Sequence, residues 1–234
     1  MEFDQPLLPG RLLRRYKRFL ADVELDDGRL ITAHTPNTGS MTGCSAPGAR
    51  VWLSRSDNPR RKYPCTLELV EARPGVLVGV HTGRANQLVA EAIAAGRIVP
   101  LRDYPRLRRE VSLGPGRSRI DLMLEDGGAR RCYVEVKSVT WVENGTALFP
   151  DAVSARGRHH LEELATLARA GHRAVIFYCV QRGDARRMAP AAELDPAYAE
   201  ALAAALASGV EALAYDSEPA PEGFALRGAL PVSA

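Results

Sequence analysis

The sequence predicts a mixed α/β protein in two parts, a small OB-like β-barrel over residues 1–82 and an α/β domain over residues 83–234. Three observations carry this. Before Gly83 the chain runs in short alternating or β-branched stretches cut by turn-forming residues. After it, apolar residues recur at helical spacing. The length of 234 residues, with 46% hydrophobic and 25% charged residues, suits one large domain or two modest ones and excludes disorder, collagen and coiled coil.

Runs around residues 12–25, 29–34, 50–55, 64–71 and 76–81 read as five strands, separated by "DDG", "TPNTGS", "SAPG", "SDNP" and "RPG". Five short strands fit a closed barrel of OB type, although strand count alone does not separate OB from SH3-like barrels. The stretch "RANQLVAEAIAAG" then reads as a helix. Asn86 is its expected N-cap, Leu88, Val89, Ala92 and Ile93 form its apolar stripe, and Gly96 terminates it. An arginine-rich segment, "LRDYPRLRRE", leads into a hairpin, "RIDLMLEDGGARRCYVEVKSV". The helix "ARGRHHLEELATLARAG", the buried strand "AVIFYCV", an alanine-rich helix near 196–208 and the strands "GVEALAYD" and "FALRGALPV" complete the chain.

A formal charge of +3 is too small to identify a partner, so the placement of cations matters more than their sum. Lys17, Lys62 and Lys137 are the only lysines among 31 basic residues, which singles out an ammonium in the middle of a strand. Cys44, Cys65, Cys132 and Cys179 are scattered without a CxxC pair and are expected as reduced, mostly buried thiols. The start, "MEFDQPLLPG", lacks an apolar signal core, and no apolar run reaches membrane-spanning length. The chain is therefore expected in the cytoplasm, with no membrane partner.

"YVEVKSV" alternates at strand period, with Tyr133, Glu135 and Lys137 on one side. Asp121 begins the other arm of the hairpin. An even-length loop turns its carboxylate away from Glu135, whereas an odd-length loop or a bulge brings it to the same face, and the latter is predicted. Two carboxylates in one apolar site repel each other. A hard divalent cation held by Asp121, Glu135 and the Val136 carbonyl relieves that repulsion, and Mg2+ or Mn2+ suits a site that keeps several waters. Lys137 would lie beside it to position water while positive charge offsets that building on a phosphate. An isolated ExK triplet is also what a partly exposed ion pair produces; the helix, the hairpin and the upstream Asp favour the site.

The order helix, hairpin with "RID", "EVK", helix, strand resembles the PD-(D/E)xK nuclease-like superfamily. The whole chain resembles the sugar fermentation stimulation protein A family through "AHTPNTGSM", "DNPRRKYPCTLELV", "NQLVAEAI", "SRIDLML", "YVEVKSVT", "FPDAVSARGRHHLEEL" and "AVIFYCVQR". The resemblance implies an OB-fold followed by a PD-(D/E)xK nuclease-like domain, DNA binding and an association with carbohydrate-utilisation regulation of the maltose type. It maps the metal-binding aspartate onto Asp121, the second carboxylate onto Glu135, the lysine onto Lys137 and a first-helix acid onto Glu91. Ile120 stands where the motif's name has proline. The literal "PD" at Pro150-Asp151 follows the ExK strand and reads instead as the start of the next helix, capped by Asp151 or Ser154.

Arg156 and His160, four apart on that helix, are candidate phosphate contacts, whereas His159 is assigned to solvent. Gln181 and Arg182 close a buried strand where substrate contacts or an ordinary loop both fit. On the barrel, Arg11, Arg14, Arg15, Lys17 and Arg18 interleave with Tyr16 and Phe19, and Arg55, Arg60, Arg61 and Lys62 lie between Trp52 and Tyr63. Cations for phosphates beside aromatics for bases are what an OB surface offers nucleic acid, although Trp52 and Phe19 themselves are assigned to the barrel core. The expected partner is DNA, with RNA left open, bound with more dependence on salt than on sequence. Two readings stand: a divalent-metal nuclease hydrolysing phosphodiester bonds, and a non-catalytic DNA-binding regulator retaining the nuclease fold. The residues do not distinguish a monomer from a homodimer.

Overall fold

A computed structural model of the chain describes residues 1–114 and 118–233. It opens with six strands, β1 (Leu8–Tyr16), β2 (Leu20–Leu25), β3 (Leu30–His34), β4 (Arg50–Arg55), β5 (Cys65–Arg73) and β6 (Val76–Gly79). They pair in the order β3-β2-β1-β4-β5-β6, and a β3–β5 bridge closes the first five into an OB-like barrel. Five strands close the barrel, but not the five read from the sequence. The 12–25 run is two strands, broken where Lys17 and Arg18 take left-handed φ values of 50° and 65°, and β6 hangs on β5 outside the closure. Leu12, Val23, Val51, Leu53, Leu67 and Val78 fill the interior.

The second part begins with α1 (Thr82–Ala94). Asn86 lies inside this helix; the N-cap is His81, whose side chain makes no capping bond. Gly96, with φ of 65°, ends the helix as expected. Next come β7 (Arg106–Ser112), β8 (Arg119–Glu125), β9 (Cys132–Val139), β10 (Trp141–Glu143), β11 (Thr146–Phe149), α2 (Ala155–Arg169), β12 (Arg173–Val180), β13 (Arg187–Pro190), α3 (Pro196–Ala207), β14 (Glu211–Ala220) and β15 (Gly223–Leu230). A six-stranded sheet runs β15-β14-β12-β9-β8-β7, with β9, β12 and β14 mutually parallel. The short β10, β11 and β13 form a separate three-stranded sheet that the sequence reading did not contain.

Strand alternation explains the layering. Leu122, Val134, Val136 and Phe177 pack against Leu88, Val89 and Ile93 of α1, while Met123, Tyr133, Ile176 and Tyr178 pack against Leu161, Leu164 and Leu202 of α2 and α3. Each such fully buried side chain contributes about 1.5–3 kcal/mol relative to exposure. All four cysteines are free and buried, and burial pushes the Cys44 thiol up to about 11. Among the described residues no helix is long and apolar enough to cross a membrane.

Candidate functional site

The β8–β9 hairpin pairs Leu122 with Val134, Met123 with Tyr133 and Leu124 with Cys132. An odd number of residues therefore lies between the last paired positions, the parity that turns Asp121 toward Glu135. The ladder stops beyond Leu122, and the Asp121 side chain takes the next place in it: the Val136 backbone N–H donates to Asp121 Oδ2 at 2.8 Å. Asn86 Nδ2 donates to Asp121 Oδ1 at 2.7 Å, so α1 and β9 together orient this carboxylate. Glu110 of β7, with φ of 51°, sits between the Arg109–Leu122 and Val111–Ile120 pairs and faces the same opening.

Glu135 and Lys137 are buried at 3% and 8% exposure. Lys137 Nζ donates to Glu135 Oε1 at 2.8 Å and lies 2.8 Å from His160 Nδ1, which also contacts Glu135 Oε1. Arg156 Nε donates to His160 Nε2 at 3.3 Å. Arg can only donate, so His160 Nε2 accepts from Arg156; the ring proton then sits on Nδ1 and goes to Glu135, and the approach of Lys137 Nζ to Nδ1 is a contact between two donors, each bonded to the same Glu135 oxygen. Burial and the Glu135 charge push the Asp121 carboxyl up from 3.8 to about 6, against the Val136 N–H, Lys137 and Asn86. Burial acts upward on Glu135 too, but there His160 and Lys137 prevail and hold it below its ordinary value. The pair is thus asymmetric: Glu135 is charge-compensated and Asp121 is not.

These groups line a cleft of about 970 Å3 with walls from both parts of the chain. Arg18, Asn37, Thr38 and Gly39 come from the barrel, and Arg119, Val153, Arg156 and His159 from the second domain. The β3–β4 loop is fastened in place. Arg15 Nη2 donates to the carbonyls of Arg18 (2.6 Å), Asn37 (2.8 Å) and Gly39 (2.8 Å), and the Met41 N–H donates to Asp151 Oδ2 at 2.9 Å. Asp151 packs against Gly39 so closely that any β-carbon there would collide with its carboxylate. Asp151 therefore joins the barrel to the second domain, and Ser154 caps α2 by accepting from the Gly157 N–H at 3.0 Å.

Asp121, Glu135, Val136, Lys137, Arg18, Arg156 and His160 meet in the cleft; the other sequence candidates do not line it. Glu91 lies elsewhere on α1, 2.9 Å from the N-terminal amine of Met1 and bonded to Gln87, because its position on the helix faces away from β8. The α1 residue that does reach Asp121 is Asn86, one turn earlier. Gln181 is wholly buried, donating to Ser138 Oγ at 2.7 Å, and its carbonyl receives the Gly79 N–H at 2.8 Å, which makes it a strut between barrel and sheet. Arg15 is consumed by carbonyls. Arg14 is exposed, pairs with Asp22 at 2.7 Å and lies over the Tyr16 ring. Lys17 is exposed at the β1–β2 turn. Arg60, Arg61 and Lys62 are exposed on the barrel, Arg61 donating to Thr66 Oγ1 at 2.9 Å and Lys62 lying over Tyr63. Phe19, offered to the barrel core, is 44% exposed, and Trp52 is partly buried against the cluster around α1 and the large sheet, not in the barrel interior.

Among the described residues no three His, Cys, Asp or Glu side chains cluster as ligands. The donor set that fits a cation is oxygen only: the Asp121 and Glu135 carboxylates and the Val136 carbonyl, completed by water. That composition suits a hard ion such as Mg2+, Mn2+ or Ca2+ and is wrong for zinc. Burial first, and then the Glu135 charge, raise the Asp121 carboxyl, and a cation beside it would offset both.

Two family models match the chain, the SfsA N-terminal OB domain over residues 13–80 and the Sugar fermentation stimulation protein RE domain over residues 83–223. Curated relatives named sugar fermentation stimulation protein homolog include those of Alkalilimnicola ehrlichii, 60% identical with 99% of each chain covered, and Thioalkalivibrio sulfidiphilus, 56% identical with 99% and 98% covered. A solved structure, that of Pyrococcus furiosus SfsA in complex with Ca2+, superposes with a TM-score of 0.90 at 29% identity, covering 100% of this chain and 98% of that one.

Proposed function

This chain belongs to the sugar fermentation stimulation protein family, and from that premise we propose that it binds DNA and hydrolyses phosphodiester bonds at a divalent-cation site between Asp121 and Glu135. The observation that carries the reading is the asymmetric carboxylate pair in a cleft lined by arginines. A Mg2+ or Mn2+ ion there would supply Lewis acidity and offset charge on the phosphate in the transition state. Asp121 is held on the cleft wall by Asn86 and the Val136 N–H, one on each carboxylate oxygen. Lys137, fixed by Glu135, places an ammonium where attacking water and the scissile phosphate would meet, and so favours the more anionic transition state over the ground state. His160 braces Glu135, and Arg156 and Arg18 offer charge to flanking phosphates. That a family neighbour was solved with Ca2+ supports a hard-cation site.

A non-catalytic DNA-binding regulator is the second reading, associated through the family name with sugar utilisation. It is favoured by one observation: Glu135 Oε1 already carries Lys137 and His160, so the protein's own groups offset its charge. Incubating the protein and a Lys137→Ala control with single-stranded, duplex and branched DNA and with RNA, in Mg2+ or Mn2+, decides between them. Cleavage by the wild type that the control lacks supports the nuclease. Binding without cleavage of any substrate supports the regulator.

A further inference from the structure

The β1–β2 turn is built from two non-glycine residues in left-handed conformation, Lys17 and Arg18, a geometry that L side chains adopt only when the surroundings impose it. Here the surroundings are explicit. Arg15 Nη2 holds the Arg18 carbonyl at 2.6 Å, and the Thr35 N–H holds the Phe19 carbonyl at 2.8 Å. The same guanidinium donates to the carbonyls of Asn37 and Gly39 in the β3–β4 loop, so it ties the turn to the cleft wall. The result is a hydrogen-bonded tip with Arg18 in the cleft and the adjacent Phe19 44% exposed. Phe19 is the one aromatic residue among the large exposed hydrophobics of the described chain, and Val153, 69% exposed on the facing domain, lines the cleft itself. Exposed apolar groups beside cations match a ligand that is itself apolar on its base faces and anionic along its backbone.

We propose that the β1–β2 tip is a stacking platform that selects an unpaired polynucleotide strand, Phe19 resting on a base and Arg18 on a neighbouring phosphate as the strand enters the cleft. This rests on the nucleic-acid reading above and narrows it. Stacking on an aromatic ring needs a base face free of its neighbours, which a strand offers and a continuous duplex does not. The cleft of about 970 Å3 is walled by the barrel on one side and the second domain on the other, and Arg18 lines it beside Phe19. It holds on the order of one to three nucleotide-sized groups, taking each as comparable to a drug-sized ligand. DNA and RNA share this chemistry.

The test is fluorescence anisotropy of the full chain in Ca2+ with one labelled sequence in three forms: single-stranded DNA, single-stranded RNA and blunt duplex DNA, each checked for integrity afterwards. An unpaired form should bind about tenfold or more tighter than the duplex, and the tighter of the two unpaired forms names the sugar. Phe19→Ala should lose about tenfold on the unpaired form with no change on the duplex, and Phe19→Trp should restore it. Phe19 is exposed, so neither variant threatens folding. Equal or tighter binding of the duplex, or a Phe19→Ala loss that is absent or the same on both forms, overturns the platform and leaves the nucleic-acid reading standing. No binding of any oligonucleotide overturns that reading, and the platform with it.

Discussion

Replacing Asp121 by Asn should make the cation-free protein more stable at neutral pH, although it removes a proposed ligand. The Asp121 carboxyl is raised from its ordinary 3.8 to about 6 by burial and by the Glu135 charge. Ionising it in the folded state therefore costs about 3 kcal/mol, at 1.36 kcal/mol per pKa unit. Below pH 4 the group is protonated in both folded and unfolded chains and there is no penalty. As pH rises from 4 to 6 the unfolded chain ionises first, stability falls, and above 6 the whole penalty is present. Asparagine resembles the protonated acid, still accepting the Val136 N–H. Urea unfolding in EDTA should place Asp121→Asn about 3 kcal/mol above the wild type at pH 7.5 and close to it at pH 4. A divalent cation at a hundred times its dissociation constant should then stabilise the wild type by about 2.7 kcal/mol, and the variant far less. A variant no more stable than wild type at pH 7.5, or a gap that does not close toward pH 4, would refute the account of this carboxylate.

Lys137→Ala should lower single-turnover cleavage by about 10²–10⁴-fold while leaving Mn2+ affinity within a few-fold, measured by rapid quench and calorimetry. Glu91→Gln should leave cleavage unchanged and shift stability by less than about 1 kcal/mol, because that carboxylate is 45% exposed and faces the N-terminal amine, not the cleft. Gly39→Ala should destabilise the chain by about 1–3 kcal/mol in urea unfolding, since its β-carbon meets the Asp151 carboxylate, and should weaken oligonucleotide binding by displacing the cleft wall.

Strand alternation made the hairpin legible: the face shared by Glu135 and Lys137 and the parity required of the loop follow from a period of two, and the structure has that parity. Helical spacing likewise located α1 and α2. The first misreading of a side chain, Asn86 as a cap, came from a preference that holds only at a helix end; four residues further in, the same amide is free to bind Asp121. Glu91 shows the converse, since a stripe tells which residues are buried but not which strand an edge residue meets. The barrel strands were harder because residues 12–25 carry no turn-forming glycine, proline or asparagine, so left-handed Lys17 and Arg18 have nothing in the sequence to announce them. Arg15 and Arg18 look alike in a row of arginines. Only the fold reveals that one is spent on carbonyls and the other opens on the cleft. A signal for the barrel's part in the cleft was present in the long polar loop after His34, which a compact barrel does not otherwise need.

Anomalous diffraction from crystals soaked in Mn2+ tests the central claim most directly. The account predicts one strong peak between the Asp121 and Glu135 carboxylates, lost in Asp121→Asn crystals treated alike. Diffraction of good quality with no peak there, or with manganese only on surface carboxylates, would contradict it.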